Sequence, residues 1–221
     1  MVIALSAYIQ PFIMQGIWGH MHSVVAAHGD SDASRTELAL TLRYGTRLAA
    51  AASCSVFVLG ELLIRLAYTP DFLPALPYLT IYFTGEPLFI AISIYGAYLL
   101  SVGARSANLI GNVGYGTIIL IGVTMLIAEL GVWSYIVSHL TAVALIAIVG
   151  ASFAYSRGQV DGSTLLAVAS WIGVTVATGA LAFWEQTHGR IGLTLVASSI
   201  VAALAMIPLV REVLAQRTTT D

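Results

Sequence analysis

The chain contains no lysine: all nine of its basic residues are arginine. A retinal-type pigment is thereby excluded, because the amine that forms the Schiff base is missing. There is one cysteine, Cys54, in an apolar stretch, so no disulfide framework within the chain is possible. Charged residues make up only 9% of the 221 positions against 58% hydrophobic ones, too little polar surface for a water-soluble domain of this length. No basic run suggests nucleic acid. The first apolar stretch lacks a basic leader and a small-residue cleavage site, so it reads as a true span and not a cleaved signal. Also missing are a nucleophile–base pairing, metal-ligand spacing and a glycine-rich phosphate loop, so neither an enzyme nor a metal or cofactor is expected. No loop is long enough to build an extramembrane catalytic face.

What is present is a series of apolar stretches. A helix needs roughly 20 apolar residues to cross the hydrocarbon, and only helices or closed barrels satisfy their backbone there. Seven stretches qualify: about Val2 to Trp18, Leu48 to Ala67, Tyr78 to Val102, Leu109 to Leu130, Val132 to Tyr155, Thr164 to Trp184, and a last one ending near Val210. The third is interrupted by Gly85-Glu86-Pro87. A polar segment from His20 to Thr46 follows the first, and its part from Ser34 to Arg47 is spaced like an amphipathic helix lying on a membrane surface. With the N-terminus outside, Arg35, Arg43, Arg47, Arg105, Arg157, Arg211 and Arg217 fall on the cytoplasmic side, and only Arg65 and Arg190 outside. This positive-inside bias orients the chain with its C-terminus in the cytoplasm. The expected fold is an all-α, polytopic transmembrane bundle of about seven spans. Trp18, Tyr68, Tyr78, Trp133, Tyr135, Tyr155 and Trp184 stand at the expected interfaces.

Three segments carry a family resemblance. Ser23-Val-Val-Ala-Ala-His-Gly29-Asp30, followed by Arg35, Arg43 and Arg47, resembles the inner loop of polysaccharide and O-antigen flippases, a family of the MATE-like exporter superfamily. Glu61-Leu-Leu-Ile-Arg65-Leu-Ala-Tyr-Thr-Pro-Asp-Phe72 is similar to that family's outer-end segment, and Leu99-Leu-Ser-Val-Gly103-Ala-Arg105-Ser-Ala-Asn108 to its inner Gly-Arg turn. The likeness covers about Ser23 to Ala154. One departure is His20, where the family often has a proline. The resemblance implies a family-like bundle over residues 1–155, the second lobe of a flippase, followed by two trailing spans and a cytoplasmic tail over 156–221. It also implies a multi-pass protein of the bacterial cytoplasmic membrane that moves a lipid-linked sugar between leaflets. Family members have two bundles, so the resemblance implies a partner: a missing N-terminal bundle, a homodimer or a second subunit, beside membrane lipids and the lipid-linked substrate.

The individual candidates follow. Glu86 is a carboxylate within a span, next to a proline that frees a backbone carbonyl. Two readings stand for it, a coupling or sugar-binding site and a solvated residue near the outer interface. Glu61 and Arg65 lie one helical turn apart and suit a structural ion pair. Arg105, in a tight inner turn, suits a lipid diphosphate or simply fixes topology. Asn108 and Asn112 share a helix face and suit a sugar or a neighbouring helix, the helix being favoured. Tyr82, Tyr95 and Tyr98 suit sugar rings or ordinary packing, packing being favoured. Gly111, Gly114, Gly116 and Gly122 read as close helix packing. His20, His22 and His28 fall inside and His139 and His188 outside, so no two facing histidines at one depth hold a haem.

Overall fold

The computed structural model describes residues 15–17, 19–189 and 192–218, with 208–218 described by backbone alone. Among these residues every regular element is helical. Residues 19–28 form α1. There follow α2 (Asp32–Ala67), a 3-10 turn (Pro70–Ala75), α3 (Leu76–Thr84), α4 (Glu86–Ser101), α5 (Arg105–Leu130), α6 (Trp133–Ser156), α7 (Gly162–Thr187) and α8 (Gly192–Thr218).

Among the described residues four helices, α2, α5, α6 and α7, are long and apolar enough to cross a membrane, and the bent pair Pro70–Thr84 and Glu86–Ser101, counted as one span, makes a fifth. The apolar part of α8, Gly192–Ile207, is shorter. The expected first span lies outside the described residues except for 15–17.

The junctions follow from local chemistry. Between α5 and α6 the chain reverses at Gly131, whose φ of 53° suits a residue without a Cβ and whose N–H still reaches the Ile127 carbonyl at 3.0 Å. At the α3–α4 break the two segments meet at 42°. Gly85 ends α3, its N–H bonded to the Tyr82 carbonyl at 3.1 Å. Helix restarts at Glu86-Pro87, where a carboxylate meets the positive end of a helix and proline's missing N–H costs nothing.

α2 departs from the expected surface helix followed by a separate span. Its 36 residues run unbroken for about 54 Å. No proline interrupts Asp32–Ala67, and an intact helix satisfies its own backbone more completely than a broken one would at a membrane surface.

By packing, the chain divides into two compact units: Met1–Gly45 with Leu88–Ala169, and Thr46–Pro87 with Ser170–Asp221. This partition is separate in kind from the boundary between residues 155 and 156 that the resemblance implies. In the first unit, α5 and α6 form a hairpin. Its helices come so close that a Cβ on Gly122 would collide with the side chain of Ser138. α2 meets α4 in the same way, a Cβ on Gly45 standing 2.5 Å from Cδ1 of Ile94. In the second unit a Cβ on Gly179 would collide with Thr84 and stand 3.1 Å from Phe57, and one on Gly60 would stand 2.7 Å from Leu76. At each of these crossings a glycine on one helix lets the side chain opposite approach closely, the kind of small-residue contact that membrane helices use.

Candidate functional site

One end of the first unit gathers a set of hydrogen-bonded polar side chains. The segment Gly29-Asp30-Ser31 breaks α1 from α2. Gly29, with φ of 65°, ends α1 by bonding its N–H to the Val25 carbonyl at 2.7 Å. Its own carbonyl accepts from Ser34 Oγ at 2.6 Å, which secures the start of α2. Asp30 then accepts from two donors: the Tyr98 hydroxyl on α4 at 2.7 Å and Arg35 Nε at 3.2 Å. These bonds, the Tyr98 one foremost, hold the Asp30 carboxyl below the ordinary carboxylate range. His22 Nδ1 lies 2.8 Å from Ser101 Oγ at the end of α4, and His20 Nε2 lies 2.7 Å from Glu37 Oε1 on α2.

The α6–α7 turn completes this end. Asp161 caps α7, accepting from Thr164 N at 2.9 Å and Ser163 Oγ at 2.6 Å. Hydrogen bonds from Ser163 and Thr164, with the nearby Arg43 charge adding less, bring its carboxyl down to about 2. Arg43 crosses from α2 to donate to Thr164 Oγ1 at 2.7 Å and Ser163 Oγ at 2.8 Å, with Asp161 3.6 Å away. Tyr95, one turn before Tyr98, donates to Gln159 Oε1 at 2.7 Å. The two tyrosine rings stack with centroids 6.4 Å apart. Arg157 stands over the Phe153 ring at 5.2 Å.

Charge is therefore mostly neutralised locally: Arg35 lies against Asp30 and Asp32, and Arg43 against Asp161. Arg105 differs. It is the first residue of α5, follows the α4–α5 turn at Gly103, is exposed, and has no carboxylate partner among the described residues. An exposed guanidinium without a carboxylate partner can take a phosphate oxygen pair in bidentate fashion.

The other residues singled out from the sequence are placed as follows. Asn108 is half-buried on α5 against α4, its Oδ1 2.8 Å from where a Gly96 Cβ would stand. Asn112, one turn further, is exposed. Tyr95, Arg105, Asn108 and Asn112 thus all belong to the first unit. Glu86 belongs to the second, where it opens α4 and is 6% exposed. Glu61 and Arg65 are also in the second unit and form an ion pair at 2.8 Å on a part-exposed face.

Three features escaped the sequence reading. The Asp30–Tyr98 and Tyr95–Gln159 bonds join residues 68 and 64 positions apart, and no local pattern announces such pairs. The Asp161 cap was visible in principle, since Asp161-Gly-Ser-Thr164 ahead of an apolar run is an N-cap signature. Glu185, one residue past the expected end of the sixth stretch, lies within α7, is buried, and accepts from Leu193 N at 3.0 Å and Thr194 N at 2.8 Å. It satisfies the free N–H groups that open α8, across a connection in which residues 190 and 191 are not described.

No protein-family model, curated protein or solved structure matches the chain.

Proposed function

We propose that the chain is a multi-pass protein of the bacterial cytoplasmic membrane that moves lipid-linked oligosaccharide or polysaccharide precursors between leaflets by alternating access. In this reading it has seven spans, the N-terminus outside and the C-terminus in the cytoplasm. The observation that carries the proposal is the broken apolar helix at Gly85, with Glu86 buried where the helix restarts. Discontinuous membrane helices are a recurrent way of building a substrate or coupling-ion site, and an acid within a span is kept for a task. Glu86 is the coupling or cavity residue. Arg105, at the cytoplasmic end, engages the lipid diphosphate, and Tyr95 and Asn108 lie along the headgroup's course.

A direct test reconstitutes the purified protein in vesicles carrying a fluorescent lipid-diphosphate oligosaccharide and reads its appearance in the opposite leaflet with an impermeant quencher. Wild-type protein accelerates appearance, Glu86→Gln abolishes it, and both insert equally. Translocation unchanged by the substitution removes Glu86 from the mechanism. A second reading, a non-transporting subunit of a polysaccharide-assembly system, draws on one observation: Arg35 and Arg43 are occupied by internal carboxylates. Under that reading vesicles of purified wild type show no acceleration.

A further inference from the structure

α5 has no buried residue along its 26 positions, although it packs against α6 on one side. The side turned to α6 is marked by Gly114, Tyr115 and Gly122: Gly114 approaches Ile146, the Tyr115 hydroxyl lies 2.8 Å from His139 Nδ1, and Gly122 abuts Ser138. A different strip remains uncovered. Leu109, Asn112, Gly116, Leu120 and Ile127 are exposed, with half-buried Val123 between the last two. Their spacing of three and four residues is the repeat by which one helix seats a second.

Apolar residues on such a strip are content in lipid. Asn112 is not. The helix is about 39 Å long, and Asn112 lies about 8 Å from its midpoint along the axis, inside a hydrocarbon layer roughly 30 Å thick. Its amide has no hydrogen-bond partner among the described residues. Gly116, one turn on, has nothing within 4 Å of where a Cβ would stand, so a partner backbone can approach closely there.

We infer that this strip of α5 pairs with the same strip of a second copy of the chain, with the two Asn112 amides hydrogen-bonded across a two-fold axis. The choice of a second copy follows from the amide itself. It carries a donor and an acceptor side by side, so two copies related by a two-fold axis satisfy each other completely. A lipid tail offers neither group. Copies inserted in one orientation also bring Asn112 to equal depth without further adjustment. The inference rests on α5 crossing the membrane and is independent of what, if anything, the protein transports.

The test is cysteine cross-linking in native membranes. Cys54 is replaced by alanine, and single cysteines are introduced as Asn112→Cys, Gly116→Cys and Met125→Cys. Met125 is exposed on α5 but lies off the strip, 73% exposed. Mild oxidation is expected to give disulfide-linked homodimers at positions 112 and 116 and none at 125. Equal cross-linking at all three, adducts of a mass other than twice the chain, or none at all would overturn the inference. Energy transfer between differently labelled full-length chains in vesicles keeps the test free of the cysteine variants' folding. Wild type self-associates, Asn112→Gln does so comparably, and Asn112→Leu is weaker by roughly fivefold to thirtyfold. Association unchanged by Asn112→Leu, or absent from wild type, sinks the proposal.

Discussion

A carboxylate that accepts from a buried tyrosine and an arginine at once, as Asp30 does, is worth more charged than protonated. The same holds for Asp161 at the head of α7. Both carboxyls are depressed in the folded chain, so the stability they add is complete above the ordinary carboxylate value of 3.8. It is lost as the pH falls, for Asp161 down through about 2. Unfolding followed by circular dichroism in detergent is therefore expected to show a falling midpoint below about pH 4, and Asp161→Asn flattens that limb. Tyr98→Phe removes one donor from Asp30 and leaves the ring's packing. Its expected cost is about 1–2 kcal/mol, read from the same unfolding curve at neutral pH. Little of this was legible in sequence. Asp30 belonged to a recognisable Gly-Asp turn, yet its tyrosine partner lay far along the chain. Tyr98 was best read as packing because a tyrosine in an apolar span has nothing local to declare its hydroxyl's destination. Glu61 and Arg65 were the opposite case, four residues apart and found paired.

Among the elements, helices were easier to foresee than their joints. The apolar runs over α5, α6 and α7 and the reversal at Gly131 were all readable, because length and hydropathy decide a membrane-sized helix. The start of α2 was not, since polar residues and arginines on an unbroken helix look the same as a surface helix joined to a span. Nor was the role of Glu185, which caps α8 from the end of α7. Glu185→Ala leaves the N–H groups of Leu193 and Thr194 without that acceptor, and is expected to destabilise the folded chain by about 1–2 kcal/mol. Proteolysis near residue 190 should rise in that variant before any global change. The glycines of α5 offer a paired test. Gly122→Ala forces a methyl into Ser138 and is expected to cost about 1–3 kcal/mol. Gly116→Ala meets open space within one chain, so it leaves that chain's stability equal or raised by up to about 1 kcal/mol.

For the molecule as a whole, the all-helical, membrane-sized build was legible from composition and hydropathy alone, whereas orientation rests on where the arginines sort. The helical connectivity puts the turns at Gly103 and Gly158 on one side and those at Gly131 and Gly189 on the other, given that α5, α6 and α7 each cross once. Single cysteines placed at these four turns in a Cys54→Ala background are expected to divide two and two when labelled with an impermeant maleimide. Labelling of the Gly131 and Gly189 positions in intact cells, with Gly103 and Gly158 silent until lysis, agrees with a cytoplasmic C-terminus. The reverse pattern inverts the topology and moves Arg105 away from the cytoplasmic side that the proposed function requires.

The unbroken α2 also carries two charges on a fixed scale. Arg47 and Arg65 are 18 residues apart on one unbroken run of helix, about 27 Å along the axis. That separation is close to the thickness of a bilayer's hydrocarbon layer, so, where α2 crosses a bilayer, the two positions meet opposite headgroup planes together only when acyl chains have ordinary length. In a thicker bilayer one of them is drawn inward or the bilayer thins around it. In a thinner one α2 tilts. If α2 crosses the membrane, lipid chain length is a variable that acts on the chain with no ligand and no mutation.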